Sequence, residues 1–301
     1  RLVQDVIAYC DSEHQNGFLL FCDQDSAYPR VEWEYLRAIL ETMHIHKDFI
    51  SLVDMMHVGI EGHFKINGHV GGRVRFGNAL LQGDPVAPIL YLLYIQSLIS
   101  LIDTSGLRGI EIPGALGDLD RPATPRAVGF ADDLLVFLRH PAELTGFKRL
   151  FDMYALASGA VLSLPKSYGM RIGRLRHSRY DLPPGWKAGR DIQFTDDPVR
   201  YLGIFLGAPK AVREVWDARV TGKMEQRWAR WRAQAMPRTR GGRNIVVRNS
   251  VLSCGWYMVE HQWIPSLDQV LEGWRKEAWG FFEGAVFAGA RGRNRRTHVT
   301  R

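Results

Sequence analysis

The sequence predicts an α+β fold in which an antiparallel sheet carries helices on one face and a helical region follows it. Apolar runs typical of buried strands alternate with segments of helical periodicity in the order strand, helix, hairpin, helix, strand. With the inserted segments set aside, that order is βαββαβ. The last third of the chain has a helical, basic pattern. These observations predict a sheet domain over residues 1–208, a helical region over 209–285 and a basic tail over 286–301.

Charge is unevenly distributed along the 301 residues. The whole chain has a net charge of +7, and residues 201–301 contain 18 basic and 8 acidic residues. Residues 1–200 are therefore mildly acidic. This asymmetry favours a polyanionic partner for the C-terminal part, and a solvated basic helix surface is the alternative reading.

Composition indicates an intracellular protein with no membrane segment. Hydrophobic residues make up 46% of the chain, which is enough to form a core. The three cysteines lie too far apart in sequence to form a metal-ligand pair or a disulfide framework, which fits a reducing compartment. The longest strongly apolar run, residues 89–102, is too short to span a bilayer.

Residues 18–76 contain a predicted strand, two predicted helices and a predicted hairpin. Residues 18–22 form a short apolar run that ends in a carboxylate, as expected of a buried strand. Apolar residues recur at helical spacing over residues 32–46, and a second helix is predicted over 49–58. Residues 64–76 are predicted to form a hairpin with a glycine-rich turn at 68–72.

A buried helix and an amphipathic helix are predicted on either side of the central hairpin. Pro85 or Pro88 suits the first turn of a helix that continues to about Ile102 and is apolar on nearly all sides. Residues 103–125 have a loop-like composition. The amphipathic helix covers residues 141–158, and Gly159 is the expected C-cap.

The remaining chain is predicted to return to β structure before becoming helical. A strand is expected within 161–172, and Tyr201–Gly207 has β character. Between them lies a polar insertion at 173–191. Three helices follow: the first begins at about residue 211, the second runs from a turn at 237–242 to about 260, and the third covers 266–283.

Two adjacent aspartates, Asp132 and Asp133, lie between two apolar runs and are expected at the turn of a β-hairpin. Taken alone, such a dipeptide is more often a simple exposed turn. In the βαββαβ arrangement, however, the end of the first strand and this turn can lie side by side, which would bring Asp23 to the pair. Three carboxylates at one rim of a sheet form the kind of two-metal site that catalyses phosphoryl or nucleotidyl transfer.

Five blocks of this sequence resemble the reverse transcriptase of non-LTR (LINE-like) retrotransposons. In the family's order, they are Phe21–Val31 with Glu32 and Trp33, Gln82–Pro88 with Leu90 and Tyr91, Phe130–Asp133, Ser158–Ser167 and Tyr201–Gly207. The resemblance covers about residues 1–285. It implies a right-hand polymerase palm with a remnant of the fingers over 1–208, followed by a thumb-like region over 209–285. It also implies RNA-directed DNA polymerase activity.

The resemblance implies roles for residues of the palm. Asp23 and Asp132 would bind two Mg²⁺ ions, with Asp133 beside them and Mn²⁺ as an alternative metal. The ring of Tyr28 would exclude a ribose 2′-hydroxyl group and so select deoxynucleoside triphosphates. Three further residues would contact the nucleotide, two at the floor of the site and one at the triphosphate: Gln82, Gly83 and Lys166.

The resemblance also implies partners and a location. The partners would be an RNA template and a DNA primer, in the nucleus or cytoplasm of a eukaryotic host. No oligomeric state is indicated. The primer and template would be contacted by residues of the fifth block and of the basic helices: Tyr201, Leu202, Gly203, Arg227 and Arg230. Trp228 and Trp231 are expected to pack in the interior rather than stack on bases.

The chain departs from the family pattern at four positions: Ser26, Pro29, Leu81 and Ser163. The fingers blocks of the family are expected to precede Arg1. A decayed polymerase fold that only binds nucleic acid is therefore an alternative function. An RNA-dependent RNA polymerase is another, although Tyr28 argues against it. The ten histidines show no metal-ligand constellation and are expected at the surface.

Overall fold

A computed structural model describes most of the chain as two compact units. One unit comprises Asp5–Asp196, and the other comprises residues 1–4 together with residues from Asp197 onward. The described residues are 1–113, 123–177, 192–234, 237, 239–262, 264 and 266–283.

The chain up to Asp196 forms five helices and seven strands among the described residues. In order they are α1 (Leu2–Ser12), β1 (Asn16–Cys22), α2 (Trp33–Thr42), α3 (Lys47–His57), β2 (Glu61–Ile66), β3 (His69–Arg75), α4 (Ala87–Asp103), β4 (Ala127–Phe130), β5 (Asp133–Leu138), α5 (Leu144–Ser158), β6 (Tyr168–Gly173) and β7 (Gln193–Thr195). The later part contains β8 (Val199–Tyr201), β9 (Ile204–Leu206), α6 (Pro209–Trp216), α7 (Gly222–Ala233), α8 (Arg240–Ile245), α9 (Trp256–His261) and α10 (Leu267–Glu283).

Five strands form the sheet that organises the first unit, in the order β4-β5-β1-β6-β7. β1 is central and pairs antiparallel with both β5 and β6, while β4 pairs antiparallel with β5. This arrangement confirms the predicted α+β fold and its βαββαβ order. β7, which pairs parallel with β6, was not predicted, because a strand of three residues carries no alternation signal.

Three helices cover one face of the sheet, as predicted. Phe18 and Leu20 of β1 lie in the same core as residues from α2, α4 and α5, among them Leu40, Leu98 and Phe147. Residues 1–17 had no predicted structure. Of these, Leu2–Ser12 form α1, and the Cys10 Sγ atom lies 3.2 Å from where a Cβ atom of Gly17 would be, on the other side of β1 from Phe18.

The helix predicted over residues 32–46 is shorter than expected. α2 ends at Thr42, and the backbone of His44 has φ +57°, which turns the chain out of the helix. The imidazole Nδ1 atom of His46 then accepts a hydrogen bond of 3.3 Å from the Asp48 N–H group and caps α3. Helical spacing alone could not locate this break, because apolar residues continue through it.

The hairpin of β2 and β3 turns at Asn67 and Gly68, which have φ +50° and +87°. Positive φ at both central residues is the two-residue turn that suits the twist of antiparallel strands. Gly71 and Gly72 therefore lie within β3 rather than in the predicted glycine-rich turn. All residues of β3 are exposed.

The predicted C-cap of α5 is confirmed. Gly159 has φ +71° and donates a backbone hydrogen bond of 2.9 Å to the Ala155 carbonyl oxygen. The strand expected within 161–172 begins only at Tyr168, because Leu164–Lys166 form a one-turn 3₁₀ helix around Pro165. Parts of the predicted loop at 103–125 and insertion at 173–191 lie outside the described residues.

The later unit has its own core, in which Trp216, Trp228 and Val251 are buried. Trp228 is 2% exposed, in keeping with a packing role. The predicted second helix is divided into α8, a π-helical turn at Val246–Val251, a 3₁₀ turn and α9. The third corresponds to α10, and the basic tail lies outside the described residues.

The division at Asp196 comes before the predicted boundary at 208, and the β8–β9 hairpin accounts for the difference. The Gln262 side chain, at the C-terminal end of α9, accepts a hydrogen bond from the Phe205 N–H group at 3.0 Å and donates one to the Phe205 carbonyl oxygen at 2.6 Å. These bonds attach the hairpin to the helices. Among the described residues, no helix combines the length and apolar character needed to cross a membrane.

Candidate active site

The Asp132–Asp133 pair lies at the turn between β4 and β5, as the sequence predicts. Phe130 pairs with Asp133, and Ala131 has φ +54°, so the chain reverses within two residues. Both aspartates are exposed, whereas the next residue, Leu134, is buried. The hairpin therefore presents two carboxylates at the end of a strand that is otherwise in the core.

The structure brings Asp23 to this pair. Cys22 is directly opposite Leu134 in the β1–β5 register, so the residues that adjoin them, Asp23 and Asp133, lie at the same rim of the sheet. Partial burial, the Asp132 charge and the Asp23 charge together raise the pKa of the Asp133 carboxyl group. The three carboxylates are thus near enough to repel one another.

The segment before β6 surrounds Asp23. The Asp23 N–H group donates to Ser167 Oγ at 3.1 Å, and the Asp23 carbonyl oxygen accepts from the Ser163 N–H group at 2.8 Å. Lys166 Nζ lies 3.8 Å from Asp23 Oδ2, with the lysine side chain 68% exposed. Ser163 contributes here through its backbone N–H group. Lys166 therefore lies beside Asp23, while its predicted contact with the triphosphate stays a prediction.

The three carboxylates match Mg²⁺ in donor type but do not close around one point. Among the described residues, no group of three or more histidine, cysteine, aspartate or glutamate side chains is arranged to hold a metal ion. Hard oxygen donors with mutual repulsion are nevertheless the donor set that a divalent cation stabilises. A rotation of exposed side chains at the turn would be needed for shared ligation.

Tyr28 lies next to the carboxylates, and its ring packs against another aromatic ring. Its ring stacks on that of Tyr91 from α4, with centroids 4.6 Å apart and an interplanar angle of 14°. Burial and the Asp132 charge raise the pKa of the Tyr28 hydroxyl group. Tyr91 is 1% exposed, and the amide of Gln24 lies beside its hydroxyl group. Tyr28 is thus held at the edge of the carboxylate cluster.

Two departures from the family pattern are accommodated locally. Pro29 lies in the first turn of the 3₁₀ helix Tyr28–Arg30, where the lack of an N–H group costs no helical hydrogen bond. Ser26 has φ +53°, and its carbonyl oxygen accepts from the Arg30 N–H group at 3.1 Å. The Arg30 guanidinium also pairs with Asp25 at 2.8 Å. This turn is therefore closed by its own contacts.

The loop with Gln82 and Gly83 begins beside Tyr28. The Leu80 N–H group donates to the Tyr28 carbonyl oxygen at 2.9 Å. Gly83 has φ +95°, and no atom lies within 4 Å of the position that a Cβ atom would occupy. Glycine is required there by its conformation, and the loop surface is open. Gln82 is exposed.

His57 contradicts the expectation that the histidines lie at the surface. His57 is 1% exposed at the end of α3. Its Nε2 atom lies 3.0 Å from Oδ2 of Asp84, the residue that follows Gly83 in the chain. Its neighbours Met55 and Met56 are exposed, so α3 has no continuous apolar stripe at this end. A histidine spaced four residues from buried Val53 was the available signal.

The residues predicted to contact the primer lie in the later unit. Tyr201 is 8% exposed, and Leu202 and Gly203 form the turn of β8–β9 with φ +47° and +85°. Tyr257 Oη donates to the Leu202 carbonyl oxygen at 2.9 Å. Tyr257 and Gln262 were not predicted, because hydrogen bonds to a distant backbone leave no sequence pattern.

The two arginines predicted to contact primer or template differ in their surroundings. The Arg227 guanidinium donates to the Ser250 carbonyl oxygen, within the same unit. Arg230 is exposed on α7. Arg230 is therefore the more accessible of the two for a phosphate contact.

Comparison with known proteins adds the family. The family described as "Reverse transcriptase (RNA-dependent DNA polymerase)" matches residues 1–206. A Xenopus laevis protein named "Transposon TX1 uncharacterized 149 kDa protein" is 26% identical over 256 residues, which are 85% of this chain. The chain spans only 19% of that protein's length.

Two solved telomerase structures show weaker likeness. Apo telomerase from Candida tropicalis, truncated from its C-terminal domain, has 12% identity and a TM-score of 0.45, covering 68% of this chain and 38% of that one. Telomerase from the same species in complex with a fragment of telomeric RNA has 10% identity and a TM-score of 0.45, covering 92% of this chain and 52% of that one.

Proposed function

The chain belongs to the reverse transcriptase (RNA-dependent DNA polymerase) family, and we propose that it extends a DNA primer on an RNA template as part of a non-LTR retroelement. The observation that carries the proposal is the position of Asp23, Asp132 and Asp133 at one rim of the sheet. The transposon relative supports the type of element. Action in the nucleus or cytoplasm of a eukaryotic host is part of the proposal.

Asp23 and Asp132 would hold two Mg²⁺ ions in the proposed site, with Asp133 beside them. The ions would lower the pKa of the primer 3′-hydroxyl group and neutralise charge on the triphosphate. The pKa of Asp133 is raised by partial burial and by the Asp132 and Asp23 charges; the charge repulsion supports this assignment, because a bound cation relieves it.

The proposed reaction is nucleotidyl transfer. The primer 3′-oxygen forms a bond to the α-phosphorus of the incoming deoxynucleotide, the bond from that phosphorus to the bridging oxygen breaks, and pyrophosphate leaves. The 3′-hydroxyl proton passes to solvent. Lys166, beside Asp23, is positioned to donate a proton to the pyrophosphate.

The residues around the carboxylates would select and position the nucleotide. Tyr28 would exclude a ribose 2′-hydroxyl group, and its stack on Tyr91 would prevent the ring from moving aside. Gln82 and Gly83 would form the floor under the base, where the absence of a side chain at Gly83 permits close approach.

The later unit would contact the nucleic acid. In this proposal the turn Tyr201–Gly203 grips the primer strand, and basic side chains such as Arg230 follow the phosphate backbone of the hybrid, as in a polymerase thumb. The excess of basic residues after residue 200 supports this role. The structure separates this unit at Asp197, so the palm and thumb boundary at 208 stays a prediction.

Primer extension tests the proposal. The 301-residue chain is assayed with an RNA template, a DNA primer, deoxynucleoside triphosphates and Mg²⁺. Wild-type chain is expected to extend the primer, and Asp132→Asn is expected to reduce the rate at least about 100-fold, because the substitution removes a metal-binding charge. Asp152→Asn, at an exposed carboxylate on α5, is the matched control and retains activity.

The opposite result has a clear meaning. A wild-type chain that binds an RNA–DNA hybrid but adds no nucleotide would contradict the proposal and favour a protein that only binds nucleic acid. Equal activity of the wild-type and Asp132→Asn chains would show that the site is assigned to the wrong residues.

A further inference from the structure

We propose that His57 and Asp84 form a buried ion pair that positions the Gln82–Gly83 loop for nucleotide binding. His57 would thus be a positioning residue for the polymerase reaction, acting through Asp84 rather than on the substrate. The inference rests on the proposed function of that loop, but the state of the pair can be tested without activity.

The His57 imidazole lies between a backbone carbonyl oxygen and the Asp84 carboxylate. His57 Nδ1 lies 3.0 Å from the Val53 carbonyl oxygen, which can only accept, so Nδ1 carries a proton. The Nε2 atom lies 3.0 Å from Asp84 Oδ2 but outside hydrogen-bond geometry. With the ring protonated, this contact is an ion pair rather than a hydrogen bond.

Asp84 connects His57 to both ends of the loop. Its Oδ1 atom accepts a hydrogen bond of 2.9 Å from the Val86 N–H group, at the start of α4. Its own N–H group donates to the Leu81 carbonyl oxygen at 3.3 Å. The carboxylate is 15% exposed, so loss of His57 would leave a poorly solvated charge without its partner.

The loop between these anchors has little other support. Gly83 contacts nothing at the position of a Cβ atom, and Gln82 is exposed. On the N-terminal side, the bond from Leu80 to the Tyr28 carbonyl oxygen holds the chain. On the C-terminal side, Asp84 holds the chain through its contacts with His57 and with the Val86 N–H group. The ion pair is therefore placed to set the conformation of a segment that packing does not determine.

A second ion pair on the same helix provides the matched control. Asp54 of α3 pairs with Arg37 of α2, and both side chains line the small cavity that also touches His57. Among the described residues that line this cavity, Arg37 and Asp54 are the charged ones besides His57. Asp54→Asn removes an ion pair from α3 but leaves the loop contact intact.

The first experiment follows hydrogen exchange of the Asp84 and Val86 backbone amides in the 301-residue chain; these donate to the Leu81 carbonyl oxygen and to Asp84 Oδ1. His57→Leu and Asp84→Asn are each expected to accelerate exchange at these amides about tenfold, because the loop opens more often. His57→Gln, which keeps an N–H donor without the charge, is expected to lie between His57→Leu and wild type. Asp54→Asn is expected to match wild type at these residues.

The second experiment measures steady-state primer extension with the same variants. The KM for the deoxynucleoside triphosphate is expected to rise about tenfold in His57→Leu and Asp84→Asn, with kcat changing less than about threefold. The KM for primer–template is expected to be unchanged. The double variant is expected to resemble either single variant, because both remove one interaction.

Two results would overturn the inference: wild-type exchange rates at the Asp84 and Val86 amides in both single variants, or uniform acceleration across the whole first unit, which would indicate general destabilisation. If wild-type chain fails to extend a primer, the proposed function fails. The exchange experiment still decides whether the ion pair positions the loop.

Discussion

Repulsion among Asp23, Asp132 and Asp133 is the central feature at the scale of single residues. The raised pKa of Asp133 means that its ionised form is less favourable in the folded chain than in the unfolded chain. The stability linked to this group is therefore present below pH 3.8 and lost as pH rises through the folded-state pKa. At neutral pH the ionised Asp133 carboxylate therefore lowers the stability of the fold, and a bound cation is expected to offset this cost.

Asp133→Asn is expected to stabilise the protein while impairing catalysis. Without Mg²⁺, the melting temperature should rise on the order of 1–2 °C, because one of three repelling charges is removed. Added Mg²⁺ should raise the melting temperature of wild type more than that of the variant. Thermal unfolding at pH 7 measures both effects. A lower melting temperature for the variant without Mg²⁺ would contradict the repulsion, and Asp152→Asn serves as the control.

Tyr28 and Tyr91 are expected to act together in sugar selection. Tyr28→Ala should lower the preference for deoxynucleotides over ribonucleotides at least about tenfold, because space opens for the 2′-hydroxyl group. Tyr91→Leu should lower this preference less, because the Tyr28 ring remains in place but loses the ring that it stacks on. The ratio of kcat/KM values for the two nucleotides is the measurement. Tyr35→Phe, which removes only the hydroxyl group that contacts Ser97, should not change the ratio.

Site residues differ in how well the sequence can reveal them. Asp23, Asp132 and Lys166 occur in blocks whose order matches a family, so they could be named before the structure. His57 and Gln262 could not, because each acts through one partner far away in the chain and no local pattern reports that partner. The contacts that support the proposed site are therefore less predictable than the site itself.

At the scale of elements, the attachment of β8–β9 to α9 depends on one side chain. Gln262→Leu removes both hydrogen bonds to Phe205 and leaves a buried N–H group and carbonyl oxygen without that partner. The free energy of unfolding is expected to fall by about 2–4 kcal/mol. Urea denaturation provides the measurement, with exposed Gln269→Leu on α10 as the control. A loss of less than about 0.5 kcal/mol would show that the hairpin is held by packing.

Elements with a strong repeating pattern were predicted well. The apolar run at 18–22 became β1, and the apolar segment to Ile102 became α4. Breaks were missed where a single backbone angle ends an element, as at His44. The helix predicted to reach residue 260 is likewise interrupted at Gly255, where a Cβ atom would lie 2.7 Å from the Trp274 ring. Such close approaches depend on residues that are distant in sequence.

At the scale of the whole molecule, buried tyrosines are expected to limit stability in alkali. Burial and the nearby Asp133 and Asp23 charges raise the pKa of Tyr168 to about 12, and burial raises the pKa of Tyr91, Tyr94 and Tyr154 still further. The stability linked to these groups is fully present below pH 10.0 and is lost as pH rises through the folded-state pKa values.

The measurement is the free energy of unfolding between pH 8 and pH 12, followed together with phenolate absorbance. Stability should decline above about pH 10, and the buried phenols should ionise with unfolding rather than before it. Tyr154→Phe should reduce the decline, since one raised pKa is removed. Ionisation of all tyrosines near pH 10 in the folded chain would contradict the burial.

The outer strands of the five-stranded sheet are its shortest members. β4 has four residues and β7 has three, whereas the central β1 has seven. An unpaired strand edge is a template on which another chain can add, and natural sheets often limit this hazard with short or charged edges. Asp196, directly after β7, pairs with Arg171 of the neighbouring strand β6 at 2.5 Å, which fixes the end of one such edge. The long apolar strands are enclosed, so edge-to-edge aggregation of this domain is disfavoured on both sides.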